Sequence, residues 1–283
     1  MLNYSMMSLS LSALKPEAVV AEALTLGMTG IDWTGTWFGN GYGACSPEYL
    51  KKISDDAGLK VVCYIAFLQR LVYRQPDGEE ELKRELDRAV LCGADKILIP
   101  TLPLAGVTDR RENQNRWLEV VSQAAEECRI RNLTPTIENF PGALSPCVTP
   151  EDFLLFHDAV PSLRLTFDVG NAWSGEDPVE SFRRTLPWTV HMHFKDFHCR
   201  SDEAPGFWRG LDGRWYQAAA IGEGDFDYPP MLWAIRESGY TGWINVEYEA
   251  KTYSPLEGVR RSVGYLRAID PIRPTCREKK SNR

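Results

Sequence analysis

Short apolar runs alternate with stretches of helical period along almost the whole chain. The first run, near residues 3–9, predicts a strand. Lys15-Pro16-Glu17 then opens a helix that ends at Gly27, and proline suits the first turn because its missing N–H has no partner to lose there. Gly30-Ile31-Asp32-Trp33 is the second predicted strand, followed by a glycine- and aromatic-rich loop over residues 34–44 and a helix started by Ser46-Pro47-Glu48. Residues 59–67 (LKVVCYIAF) predict a third strand, and residues 77–92 a helix closed by Gly93. Lys96-Ile97-Leu98-Ile99-Pro100 is the fourth, with a long helix over about 111–131 behind it. Four more strands are predicted at 134–140, 163–169, 188–196 and 242–249, with helices near 149–158, 177–184, 228–238 and 255–268.

Eight strands, each followed by a helix and spaced by about one βα unit, predict a single (β/α)8 TIM barrel over residues 1–270. A doubly wound open sheet is the alternative, but the nucleotide-binding glycine fingerprint is missing after the first strand. Residues 271–283 (PIRPTCREKKSNR) are polar and basic and read as a disordered tail.

The seventh strand carries the densest chemistry. Val190 to His198 contains three of the four histidines, and period two sends His191, His193 and Lys195 to one face and Val190, Met192 and Phe194 to the other. Two histidines beside a lysine suggest a polar site, the more so in a parallel sheet covered by helices. Neighbouring strands divide the same way. Thr136 and Glu138 share a face, as do Arg164, Thr166 and Asp168, and as do Asn245, Glu247 and Glu249 opposite Ile244, Val246 and Tyr248. Barrel active sites lie at the C-terminal strand ends. Glu138, Asp168, His193 and Glu247 are therefore expected to converge on the mouth. Three clustered carboxylates repel one another, and one divalent cation is the simplest remedy. The donor set is mostly hard, which makes Mn2+ the first choice, with Mg2+, Co2+ or Zn2+ as alternatives. The competing reading is a buried salt network in which Lys195 and Arg164 pair with the carboxylates.

Composition narrows the partners. The chain has 283 residues, 43% of them hydrophobic, and a net charge of −7, which argues against nucleic acid or an anionic membrane surface. The seven cysteines are scattered without a Cys-x-x-Cys pair, which favours reduced thiols and a cytoplasmic protein. The N-terminus lacks the pattern of a signal peptide, and no apolar stretch has transmembrane length.

The chain resembles the xylose-isomerase-like superfamily of sugar phosphate isomerases and epimerases. The matching segments are Thr136-Ile137-Glu138-Asn139, Phe167-Asp168-Val169-Gly170-Asn171, His191-x-His193-x-Lys195-Asp196, Ile221-Gly222-Glu223-Gly224-Asp225-Phe226-Asp227 and Gly242-x-Ile244-x-Val246-Glu247. The resemblance implies that Glu138, Asp168, His193 and Glu247 are the metal ligands and that Glu138 and Glu247 are also the acid/base pair. The expected reaction is isomerisation or epimerisation of a keto sugar or sugar phosphate through a cis-enediolate. A dehydratase or a C-glycoside-cleaving lyase could use the same first step. An apurinic-site endonuclease of this superfamily needs further histidines from earlier strands, and this chain has none before His157. A non-catalytic sugar-binding barrel would not need the complete ligand set. One departure stands out: where many members carry a histidine three residues after the aspartate, this chain has Asn171, a form similar to the L-ribulose-5-phosphate 3-epimerase branch. That leaves the substrate open.

Asn171, His191, Lys195, Trp37, Trp208 and Arg209 are the candidate substrate-binding residues, with a small sugar or sugar phosphate as partner. The aromatic loops that contain Trp33, Trp37 and Phe38, and Phe207, Trp208, Trp215 and Tyr216, could cover a sugar ring or make a contact between copies of the chain. Lys195, Arg209 and Arg214 could neutralise a phosphate. Gly222-Glu223-Gly224 reads as a loop bend, His198 as a residue of the mouth or a solvated loop, and His157 as a surface residue.

Overall fold

A computed structural model describes residues 2–36 and 39–270. Seven parallel strands follow one another round a ring in chain order: β1 (Asn3–Met7), β2 (Gly30–Thr34), β3 (Lys60–Ile65), β4 (Lys96–Ile99), β5 (Thr134–Glu138), β6 (Arg164–Asp168) and β7 (Thr189–Phe194). Before the ring closes, the chain forms a separate antiparallel sheet of β8 (Asp196–Arg200), β9 (Trp208–Arg209) and β10 (Trp215–Ala219). Strand β11 (Trp243–Val246) then pairs with β7 on one side and β1 on the other, closing an eight-stranded parallel barrel. The TIM barrel expected from the periodicity is the observed fold.

Helices cover the outside. The helix Pro47–Asp56 is capped by Ser46, whose hydroxyl accepts from the Tyr49 amide, and Pro150–Ala159 begins with a reciprocal cap between Thr149 and Asp152. The outward residues of the strands, among them Ile31, Trp33, Tyr64, Ile97, Ile137, Phe167, Met192, Phe194, Ile244 and Val246, are buried in the main apolar core. Each large apolar side chain buried this way stabilises by about 1.5–3 kcal/mol. Trp33 therefore belongs to the core and not to a loop over the mouth. Its place in the alternation of β2 points it outward, and its Nε1 donates to Ser54 Oγ at 3.0 Å.

The inward faces are of two kinds. Met7, Cys63, Ile65 and Leu98, from β1, β3 and β4, form a second apolar cluster separate from the main core, with Leu9 and Phe67 packed against it. The inward residues of β5, β6, β7 and β11 are polar.

The segment after β7 differs from the expected mouth loop. Trp208 stacks on Tyr216, with centroids 5.1 Å apart, and meets Phe197 edge-on at 5.2 Å. These aromatics form a core of their own that holds β8, β9 and β10 together. Trp37, Phe38 and residues 271–283 lie outside the described residues. Among those described, no helix is long and apolar enough to cross a membrane, and the cysteines are unpaired.

Candidate active site and metal centre

Strand register assembles the site. Between Leu165 and Thr166 the pairing of β6 with β7 shifts, after which Thr166 stands opposite His191 and Asp168 opposite His193. On the other side of β7, His193 stands opposite Asn245. Asp168 and His193 thus lie side by side at the C-terminal end of the barrel. Glu138 ends β5 and Glu247 directly follows β11. One donor atom from each of Glu138, Asp168, His193 and Glu247 lies within 4.8 Å of the others, and all four residues are buried. His193 Nδ1 is 3.1 Å from Glu138 Oε1 and 3.6 Å from Glu247 Oε2.

Neighbouring groups fix the carboxylates. The Asn139 side chain accepts from the Asp168 amide and donates to the Asp168 carbonyl, both at 2.8 Å, which ties the ends of β5 and β6 together. Asp168 caps the short helix Val169–Trp173: its Oδ1 accepts from the Asn171 amide at 2.6 Å. Asn171 Nδ2 donates to Glu138 Oε1 at 3.3 Å, so this fully buried residue braces a candidate ligand. Gly170 is required by close approach, because a Cβ there would lie 2.6 Å from the Lys195 carbonyl oxygen.

Lys195 stands among the acids. Its Nζ lies 3.0 Å from Glu247 Oε2, 3.6 Å from Asp168 Oδ2, 3.6 Å from Glu249 Oε1 and 4.0 Å from Glu138 Oε1. Arg164, expected on the same inward face, takes no part. Its Nη1 donates to the carbonyls of Pro161 and Leu163 at the opposite end of the barrel, where β6 begins.

One lysine does not balance the cluster. Burial lifts the Asp168 carboxyl well above its usual range; Lys195 opposes the rise, and Glu138 and Glu247 add to it. Burial likewise raises Glu247, to about 7, against the pull of Lys195. Glu138 is lowered, since Lys195 and His193 together outweigh its burial. His193 is held well above the imidazole range, because Glu138 and Asp32 outweigh the effect of burial.

The donor set fits a divalent cation. Asp168 Oδ2 and Asn171 Oδ1 are buried acceptors with no hydrogen-bond partner, and such an orphan costs about 1–3 kcal/mol unless something satisfies it. Three carboxylates and one imidazole are a normal set for a hard or borderline ion.

Asp32 is a site residue that the sequence reading passed over. It is fully buried on β2, and its Oδ2 accepts from His191 Nε2 at 2.6 Å and lies 3.7 Å from His193 Nε2. The two histidines hold its carboxyl below the usual range even though burial pushes it up. The alternation of Gly30, Asp32 and Thr34 against Ile31 and Trp33 was the available signal.

A cavity opens above these groups. Glu138, His193, Lys195, Glu247 and Glu249 line one side, while Met7, Leu9, Ile65, Phe67, Leu98, Pro100, Leu102 and Phe140 line the other. His191 does not line it; it lies fully buried beneath His193 and is bound to Asp32. Trp208 borders a neighbouring recess with Gln217 and Lys251, and this recess meets the cavity at Glu249. Arg209 is exposed and is not among the lining residues of either. Arg214 pairs with Asp212 at 2.6 Å and lies over the rings of Trp173 and Tyr216. Gly222 makes the expected bend (φ +89°), and its amide donates to Asp196 Oδ2 at 2.9 Å. His198 is exposed beside Asp225, and His157 is half-buried between Phe153 and Trp188.

Comparison with known proteins agrees with this geometry at the level of the fold. The sequence pattern of the family described as xylose isomerase-like TIM barrel matches residues 20–269. The inosose dehydratase of Lacticaseibacillus casei is 27% identical over 264 residues, covering 85% of this chain and 87% of that protein. The 3-dehydroshikimate dehydratase of Bacillus anthracis is 32% identical over 89 residues, 31% of this chain and 30% of its own. Among solved structures, 3-keto-D-glucoside 4-epimerase from E. coli superposes with a TM-score of 0.72 over 95% of this chain and 100% of its own, at 14% identity. At that identity the likeness concerns the fold alone.

Proposed function

The chain belongs to the xylose isomerase-like TIM barrel family, and on that premise we propose that it is a metal-dependent dehydratase of a small keto polyol. The proton beside the ketone is removed, and the β-hydroxyl leaves as water. Glu138, Asp168, His193 and Glu247 would hold the cation, Mn2+ first, with Mg2+, Co2+ or Zn2+ as alternatives. When bound, a divalent ion supplies Lewis-acid polarisation of the ketone oxygen.

The observation that carries the reading is Lys195 on the cavity wall, 3.0 Å from Glu247. Exchange of a proton between two faces of a carbon needs two carboxylates. Elimination must also deliver a proton to a departing hydroxyl, and the Lys195 ammonium stands where it can do so. Glu138, the one of the three candidate ligand carboxylates held below its usual range, takes the proton from carbon. The C–O bond breaks as Lys195 gives its proton to the leaving oxygen, and one water is released. Glu138 Oε1 lies 4.0 Å from Lys195 Nζ, so its proton can return to the amine through one bridging water and restore the starting state. The dehydratase name of a relative that covers 85% of the chain supports this order of readings.

Epimerisation of a keto sugar is the second reading. It is favoured by the presence of Glu247 on the same cavity as Glu138, where it could return the proton from another side. The two outcomes separate when the Mn2+-loaded protein is incubated in D2O with inosose and with a ketohexose, followed by NMR and mass spectrometry. Dehydration gives an unsaturated ketone one water lighter, whereas epimerisation gives a deuterated epimer of unchanged formula. If neither product forms and no deuterium enters the carbon beside the ketone, enolisation is not the function.

A further inference from the structure

We infer that the substrate is an uncharged ring that lies with one carbon–hydrogen face against the apolar side of the cavity, and that phosphate and carboxylate substrates are excluded. The inference rests on the enolisation chemistry proposed above and narrows its substrate class.

Two observations carry it. First, the apolar side is part of the fold. Met7, Ile65 and Leu98 at the ends of β1, β3 and β4 belong to the separate apolar cluster inside the barrel, and Leu102 and Phe140 continue it on the loops after β4 and β5. None of these side chains offers a hydrogen bond. An open-chain ketose has hydroxyls along its length, some of which would be pressed unpaired against this wall. A saturated ring with equatorial hydroxyls keeps its polar groups at the rim and presents C–H bonds on its faces. Such a ring can lay one face on the wall while its edge meets Lys195 and the carboxylates.

Second, among the described residues the cavity has no cation that is free to hold an anion. Lys195 is the one lysine or arginine among the lining residues, and it lies within 4.0 Å of carboxylate oxygens of Glu138, Asp168, Glu247 and Glu249. A divalent ion would offset two of those charges and leave no surplus for a phosphate. Glu249, with 45% of its side chain exposed, stands at the rim where an anion would enter. The other nearby cations stand outside the cavity: Arg214 is paired with Asp212, Arg209 is not on the lining, and the exposed Lys251 lines the neighbouring recess that the cavity meets at Glu249.

The test compares inosose, 3-dehydroshikimate and D-ribulose 5-phosphate on the Mn2+-loaded protein, with calorimetric binding and deuterium exchange measured in parallel. The expected result is that inosose binds roughly a hundredfold more tightly than either anion, the order of discrimination that like-charge repulsion at a buried site produces. Leu102→Arg places a cation on the half-buried edge of the apolar side and should shift that ratio at least about tenfold toward the anions. Equal or tighter binding of either anion by the unaltered protein, or a ratio that Leu102→Arg leaves unchanged, overturns the inference. Binding and exchange fail independently. Preferential binding of inosose without deuterium exchange upholds the substrate class and removes the enolisation reading. Exchange on an anion does the reverse.

Discussion

Asp32 Oδ2 lies 2.6 Å from His191 Nε2, and both side chains are completely buried beneath the candidate metal centre. The same oxygen faces His193 Nε2 at 3.7 Å, while the other ring nitrogen of His193 points toward Glu138 and Glu247. A carboxylate behind a ligating histidine keeps the proton on the far nitrogen and orients the ring. Asp32→Asn removes that charge with little change of shape. It should weaken divalent-ion binding by about 10–100-fold while the barrel stays folded. Competition with a chelator measures the affinity, and unchanged affinity would reduce Asp32 to a packing role.

The two glutamates should fail in different ways. Glu138→Gln keeps an oxygen donor but removes the carboxylate held below the usual range, so deuterium exchange at the carbon beside the ketone should fall by about 100-fold or more. Glu247→Gln leaves Glu138 in place, and partial exchange should persist without full turnover. Wild-type rates of product formation in both variants would contradict the assignment.

Lys195 holds together a cluster that is otherwise all acidic on its carboxylate side. Lys195→Ala in the ion-free protein leaves buried carboxylates without their ammonium, which costs about 3–5 kcal/mol. Saturating Mn2+ should restore much of that loss, because the ion replaces the missing positive charge. Thermal melts with and without EDTA read the difference. Equal destabilisation in both conditions would mean that Lys195 acts by packing alone.

Ion binding should strengthen as pH rises. Glu247 is lifted to about 7, and Asp168 and His193 are raised well above their ordinary ranges, so protons on these ligands must leave when a cation binds. Each displaced proton contributes up to about tenfold in affinity per pH unit. The dependence is steeper below 7, where Glu247 also gives up a proton, and shallower above it, where Glu247 is already ionised. Mn2+ titrations on either side of pH 7 check the sign, and affinity that falls or stays flat as pH rises would contradict it.

Much of this site was legible in the sequence because it stands on strands. Period two separates Glu138, Asp168, His193 and Glu247 from their apolar neighbours, and adjacent parallel strands bring such residues together without knowledge of the loops. The same rule predicted too much for Arg164, since it assigns a face but not a height, and Arg164 is at the wrong end of β6. Asp32 is harder to read: alternation with Ile31 and Trp33 gives its inward face, but only the closed barrel sets it beneath His191. The loop position of Trp208 offers it to the mouth, and pairing of β8, β9 and β10 stacks it on Tyr216 beside a recess that meets the cavity. That pairing depends on contacts remote in sequence, which local pattern does not encode. The division of the cavity into polar and apolar sides is also a property of the closed ring, which sets Met7 on β1 beside the polar groups of β7 and the end of β11.

The most direct test of the account is the ion itself. Mn2+ binding measured by elemental analysis and electron paramagnetic resonance should give one ion per chain for the unaltered protein. Asp168→Ala should retain no ion and no turnover while its circular dichroism stays that of the folded barrel. An unaltered protein that takes up no divalent ion, or an Asp168→Ala variant that keeps a full equivalent, would contradict the assignment of Glu138, Asp168, His193 and Glu247 as one metal centre.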